Sequence, residues 1–93
     1  PHVMEHNMTL REEKYAEVAR VLAPSKSPSG TAAIDAVLEI RSDIGLDRSI
    51  SDLGGEDDLF EVLVEDAAAD FVNMTNPVPV DPAAFEKMYK AAW

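Results

Sequence analysis

The stretch Met74-Thr75-Asn76-Pro77-Val78-Pro79-Val80-Asp81-Pro82 decides how the second half of this chain is built. Pro77 and Pro79 lack an amide donor and fix their own φ, and each pushes its predecessor out of the helical region. No helix can run through residues 76 to 79, so the segment predicts a rigid bend. Asp81-Pro82 then restarts a helix, with a capping carboxylate followed by proline at the first helical position, where the missing amide costs nothing. Phe85, Met88, Tyr89 and Ala92 recur at helical spacing, giving the last helix one apolar face that must dock on something. The expected surface is the stripe Leu59, Leu63 and Phe71, met by Phe85, Met88, Tyr89 and Trp93.

Upstream of the bend, a helix is expected from Glu56-Asp57-Asp58, whose carboxylates favour the positive end of a helix dipole. Its inward positions are Leu59 or Phe60, Leu63, Ala67 and Phe71. Asp66-Ala67-Ala68-Ala69-Asp70 is good helix former with little bulk, allowing close backbone approach. Leu46 to Gly55 reads as a connector, with Ile50 and Leu53 as anchors and Gly54-Gly55 supplying backbone angles closed to other residues.

The first half shows two more helices. Thr9-Leu10-Arg11-Glu12 has the capping-box pattern, and Tyr15, Val18, Ala19 and Leu22 follow as an apolar stripe. Pro24-Ser25-Lys26-Ser27-Pro28-Ser29-Gly30 is a loop. Ser29 or Thr31 caps a helix whose Ile34, Val37, Leu38 and Ile44 are expected to face inward, ended by a left-handed Gly45. An antiparallel pair of helices is expected. Nothing alternates with period two, so no strand is expected and the fold class is all-α, a small bundle of about four to five helices.

Ninety-three residues suffice for one domain and are too few for a nucleotide-binding domain plus a catalytic one. With three Phe, two Tyr and one Trp, the core must rest on Val, Leu, Ile, Ala and Met, and it will be thin. The chain has no cysteine, which excludes disulfides, thiolate zinc sites and cysteine nucleophiles. Without a long apolar run it reads as soluble and cytoplasmic. The net charge of −10 is concentrated between Ser49 and Glu86, where there are ten acidic residues and no Lys or Arg. Such a surface repels phosphate backbones and anionic lipid, so neither nucleic acid nor membrane is expected as a partner.

Candidate chemistry is sparse. His2 and His6 are four apart, a helical spacing that can chelate a metal, but no carboxylate is placed to complete a site and no helix can be argued so close to a free end. There is no glycine-rich phosphate loop, nucleophile elbow or calcium loop. The carboxylates sit on solvent faces without an apolar pocket to raise a pKa. No catalytic, cofactor-binding or metal-ligating residue is assigned, and the chain alone is expected to be inactive. Asp52-Leu53-Gly54-Gly55-Glu56-Asp57-Asp58-Leu59 resembles the attachment site of acyl carrier proteins, yet Asp58 stands where that family's serine carries phosphopantetheine. A carrier role therefore fails at its one essential atom. A standalone acidic helical interaction module is the alternative function class.

Ordered blocks along the chain resemble a different family. Pro1-His2-Val3-Met4-Glu5-His6-Asn7, Glu13-Lys14-Tyr15, Ala16 to Arg20, Ser51-Asp52-Leu53-Gly54, Glu65-Asp66-Ala67-Ala68, Thr75-Asn76-Pro77 and Met88-Tyr89-Lys90-Ala91-Ala92-Trp93 are similar to the C-terminal part of the iron-containing (group III) alcohol dehydrogenases, the group of lactaldehyde reductases and 1,3-propanediol dehydrogenases. The resemblance implies the outer part of the helical C-terminal domain of a dehydroquinate synthase-like fold. It further implies an N-terminal NAD(P)-binding domain and a divalent metal, Fe²⁺ or Zn²⁺, held by one aspartate and three histidines. All of these would lie upstream of Pro1, where the chain is expected to have been cut from a longer one, so the missing parts of that enzyme and self-association are the expected partners. The same resemblance brings Phe71, Val72 and Asn73 near the cleft for substrate or nicotinamide. Val78 stands where a basic residue commonly follows Asn-Pro, and His6 where an aromatic is usual.

Overall fold

The computed structural model describes residues 1–93, which form only helices and their connections. Four α-helices, α1 (His2–Leu22), α2 (Gly30–Asp43), α3 (Phe60–Ala69) and α4 (Pro82–Ala92), are joined with short 3₁₀ turns at Ser51–Leu53, Asp57–Leu59 and Phe71–Thr75. The chain divides into two compact units. One comprises Val3–Asp47 with Pro1, the other Arg48–Trp93 with His2.

In the first unit, α1 starts well before the expected cap. It is helical from His2, through residues for which the sequence alone argues no helix, and breaks at Arg11 (φ −131°, ψ 18°). The Thr9–Glu12 box does not form. Glu12 Oε1 instead accepts the Gly30 N–H at 2.7 Å, so the carboxylate expected to cap its own helix caps the next one. The Arg11 guanidinium donates to the Leu10 carbonyl beside the break at 3.0 Å. Ser29 Oγ accepts from Ala32 N at 3.0 Å, so Ser29 rather than Thr31 is the N-cap of α2.

Gly30 lies against Met8 and Glu12 in the middle of α1, where a β-carbon would collide with both side chains. Ala32 and Ala33 cluster with Ala19, with Met4 and Tyr15 packed around them. Contact through the first turn of α2 replaces the antiparallel pairing expected along both helices. The buried apolar residues are Ala19, Ala23, Ala32, Ala33, Ala36 and Ile34. Small side chains let the backbones approach, at the expense of the larger residues on the expected stripes: Val18, Leu22, Leu38 and Ile44 are all exposed. The end of α2 follows expectation. Gly45 has φ 71°, its N–H bonds Ser42 O and the Leu46 N–H reaches back to Arg41 O, a Schellman closure.

The second unit opens with a reciprocal pair not foreseen from the sequence. Ser49 N donates to Asp52 Oδ2 and Asp52 N to Ser49 Oγ, both at 3.1 Å. Gly54 takes φ 95°. At Gly55 the requirement is space, because a β-carbon would come 2.6 Å from Ile50 Cγ2 and 3.0 Å from its carbonyl. Leu53, expected as an anchor, is exposed; Ile50 is half-buried and donates its N–H to Ala92 O at 2.9 Å.

The Asn76 to Pro79 bend is non-helical, and α4 restarts as expected, with Asp81 Oδ1 accepting from Ala84 N at 2.8 Å and Pro82 in the first turn. Helices α3 and α4 pack on each other. Leu63 and Ala67 on α3 and Phe85, Met88 and Tyr89 on α4 are half-buried, as their stripes require. The aromatic contact differs from expectation: Tyr89 and Trp93 meet Phe60, at ring separations of 6.5 and 5.2 Å, whereas Leu59 and Phe71 are exposed. The reason is local. Asp57–Leu59 winds as 3₁₀ helix before α3, and α3 stops at Ala69, so both residues leave the helical stripe.

Candidate substrate-cleft segment

At the end of α3, Asp70 turns extended (φ −70°, ψ 124°) and its carboxylate accepts the Val72 N–H at 3.0 Å, starting the 3₁₀ turn Phe71–Thr75. Asn73 N bonds Asp70 O at 3.1 Å, and Asn73 Nδ2 donates to Ala67 O, which also accepts the Asp70 N–H at 3.4 Å where α3 ends. Thr75 Oγ1 holds Val72 O at 2.7 Å, and Asn76 Nδ2 reaches Val78 O at 2.5 Å across Pro77. Every polar side chain from Asp70 to Asn76 is therefore engaged with nearby backbone.

The apolar side chains point the other way. Phe71 is 77% exposed, Val72 51% and Met74 83%. Of the three residues singled out from the sequence, the structure presents Phe71 and Val72 outward as a stiff apolar ledge and turns Asn73 inward as a cap. Met74 belongs to the same ledge and was not singled out. Its signal was the proline-terminated 3₁₀ turn, which exposes neighbouring side chains that a continuing helix would have placed on different faces.

Asp52 is held below the usual carboxylate range by the Ser49 N–H and then by the Ser49 hydroxyl. Lys26 is held above its usual value by its hydrogen bond to Glu39, 2.7 Å away. No helix is long and apolar enough to cross a membrane.

Residues 1–93 match the C-terminal region of the Fe-containing alcohol dehydrogenase family. The chain belongs to that family. It is 29% identical to lactaldehyde reductase of Escherichia coli K12 over all of its length, which is 26% of that protein. It is 26% identical to 1,3-propanediol dehydrogenase of Citrobacter freundii, again over the whole chain and 25% of the relative. The chain thus spans about a quarter of these curated relatives. No solved structure is significantly similar to it. The family's name implies iron, and the side chains present do not fit such a site: no three His, Asp or Glu groups converge closely enough to hold a metal ion. His2 and His6 supply at most two of the three or more protein ligands that a closed or catalytic site needs. In this member of the iron-containing alcohol dehydrogenases, the 93 residues form helices and an exposed apolar ledge of Phe71, Val72 and Met74.

Proposed function

We propose that these residues are the C-terminal helical portion of an NAD(P)-linked, metal-dependent oxidoreductase that interconverts small alcohols and aldehydes in the cytoplasm. The observation that carries this reading is the family match over residues 1–93, together with two relatives whose names are those of enzymes acting on a small aldehyde and a small diol. In this reading the metal, Fe²⁺ or Zn²⁺, and the dinucleotide are held by parts of the protein outside these 93 residues, which are their structural partners. Those parts would supply a metal able to polarise an alcohol oxygen and a dinucleotide able to exchange hydride.

Within the chain, Phe71 and Val72 supply an apolar wall to the substrate or nicotinamide cleft, and Asn73 holds their turn through the Ala67 carbonyl. An apolar wall excludes water, which strengthens the electrostatic interactions on which hydride transfer depends. The test has two steps. The DNA upstream of the Pro1 codon should encode in frame a dinucleotide-binding domain and a histidine-containing metal motif, and the protein made from the whole frame should oxidise propanediols with NAD⁺ or NADP⁺. A stop codon directly upstream, with a product inactive towards short alcohols and aldehydes, would rule the reading out in favour of a standalone helical module.

A further inference from the structure

Beside the α3–α4 contact lies an open hollow of about 680 Å³, lined by Asp57, Asp58, Phe60, Glu61, Lys90 and Trp93. Two aromatic rings form part of its wall. The indole of Trp93 meets Phe60 in a T-shaped contact and is held by its Nε1–H bond to Asp57 Oδ1 at 3.1 Å. Asp58 and Glu61 line the same hollow and make no hydrogen bond or ion pair within the chain. The one cation present, the Lys90 ammonium, is held by Glu86 at 2.5 Å. No Lys or Arg occurs between Ser49 and Glu86 to neutralise the two carboxylates.

We infer that this hollow docks an arginine side chain of a basic polypeptide segment. The inference is independent of the dehydrogenase reading. The π-face of an indole attracts cations, and a guanidinium, planar and weakly hydrated, stacks on an aromatic ring while donating to carboxylates from its edge. Asp58 and Glu61 supply those acceptors and Trp93 the face. Arginine suits this combination better than lysine, whose compact ammonium holds its water more strongly. Because the hollow is open to solvent, a side chain can enter while its own backbone passes outside, and the surrounding acidic surface attracts further positive charge on the same segment.

Trp93 is the chain's single tryptophan, so its fluorescence reports on the hollow directly. The probes are acetyl-Gly-Gly-Arg-Gly-Gly-amide, the same peptide with citrulline, which keeps the shape and loses the charge, and N-acetyl-arginine amide. The arginine peptide should give a saturable emission change with Kd of about 1 mM or below. The citrulline peptide should bind roughly tenfold more weakly, as loss of a charge-assisted bond requires. Asp58→Asn with Glu61→Gln should weaken the arginine peptide by a similar factor with the far-UV circular dichroism unchanged; if that pair unfolds the chain, Glu61→Gln alone is read in its place. The inference is overturned by the absence of a saturable change in a chain that is helical by circular dichroism, by equal binding of the citrulline peptide, or by unaltered binding in the variants. A fourth probe, acetyl-Arg-Gly-Arg-Gly-Arg-amide, should bind more tightly than N-acetyl-arginine amide because the acidic surface attracts the further charge, and equal binding of these two overturns the hollow as a polypeptide site.

Discussion

Trp93 and Phe60 meet in a T-shaped contact, with ring centroids 5.2 Å apart and planes at 77°, while the Trp93 indole N–H is bonded to Asp57. The Trp93 main-chain oxygen also accepts from Ser51 Oγ at 2.5 Å, and Ala92 O accepts from Ile50 N, so the end of α4 ties together the connector and the start of α3. Phe60 is the hub of this arrangement, meeting Tyr89 as well. Complete burial of a phenylalanine would make truncation to alanine cost roughly 3 to 5 kcal/mol. Phe60 is only half-buried, so Phe60→Ala should cost about 2 kcal/mol, aromatic pairing included. Lys87→Ala, on the exposed face of α4, should change stability by less than ~0.5 kcal/mol. Urea melts followed by circular dichroism compare the two; equal small losses would mean that α4 is not packed on α3.

The contact between Glu12 and Gly30 makes a second prediction. Loss of an N-cap or of a charged acceptor for a helix amide costs about 1 kcal/mol. Glu12→Ala should therefore destabilise by about as much as Ser29→Ala, although Glu12 lies eighteen residues away from the helix start it serves. Thermal melts of the two variants check this. A silent Glu12→Ala beside a destabilising Ser29→Ala would return Glu12 to a merely solvated role.

These two sites show what was legible in the sequence. Local signals with their own chemistry were readable: the Pro77–Pro79 break, Asp81-Pro82, Ser29 and Gly45 each act within a few residues of themselves. Glu12 was assigned to the wrong helix because capping-box spacing does not say which amide the carboxylate finds, and Gly30 offered a competing donor. A real reciprocal box sat at Ser49–Asp52, with the same spacing but followed by only a short 3₁₀ turn. The core was misjudged for a related reason. Apolar stripes favour large side chains, whereas the closest backbone approach in the first unit is made by Ala19, Ala32 and Ala33. At the candidate cleft, Phe71 and Val72 came from family resemblance; residue spacing put Phe71 in the core, because nothing in it marked the end of α3 at Ala69.

The Ser49–Asp52 pair predicts a pH dependence. Its hydrogen bonds lower the folded-state pKa of Asp52, so its stabilisation is present above the ordinary aspartate value and is lost as pH falls through the depressed one. Lys26 behaves oppositely: Glu39 raises its pKa, so that contribution is present below the ordinary lysine value and is lost as pH rises through the raised one. The Ser49 amide resonance should titrate with a midpoint below that of an unperturbed aspartate and stop titrating in Asp52→Asn. A midpoint at or above the ordinary value would contradict the pairing.

Exposed apolar side chains occur on both units, including Val21, Ile44 and Leu46 on the first and Phe71 and Met74 on the second. Contiguous apolar surface of more than a few hundred Å² usually finds a partner. The 93-residue chain should self-associate, and Phe71→Ser with Met74→Ser should weaken the association. Sedimentation is the measurement; a strict monomer at ~100 μM that binds no hydrophobic dye would count against it.

We propose that the 93 residues are the helical framework of an iron-containing alcohol dehydrogenase whose reaction centre lies outside them. Calorimetric titration of this chain with Zn²⁺, Fe²⁺ and NADH tests it most directly. No binding tighter than about millimolar is expected for either metal, because His2 and His6 give two ligands where a site needs at least three, nor for NADH, whose binding domain is proposed to lie outside these residues. One-to-one micromolar binding of either metal, abolished by His2→Ala, would contradict it and place a metal centre within these helices.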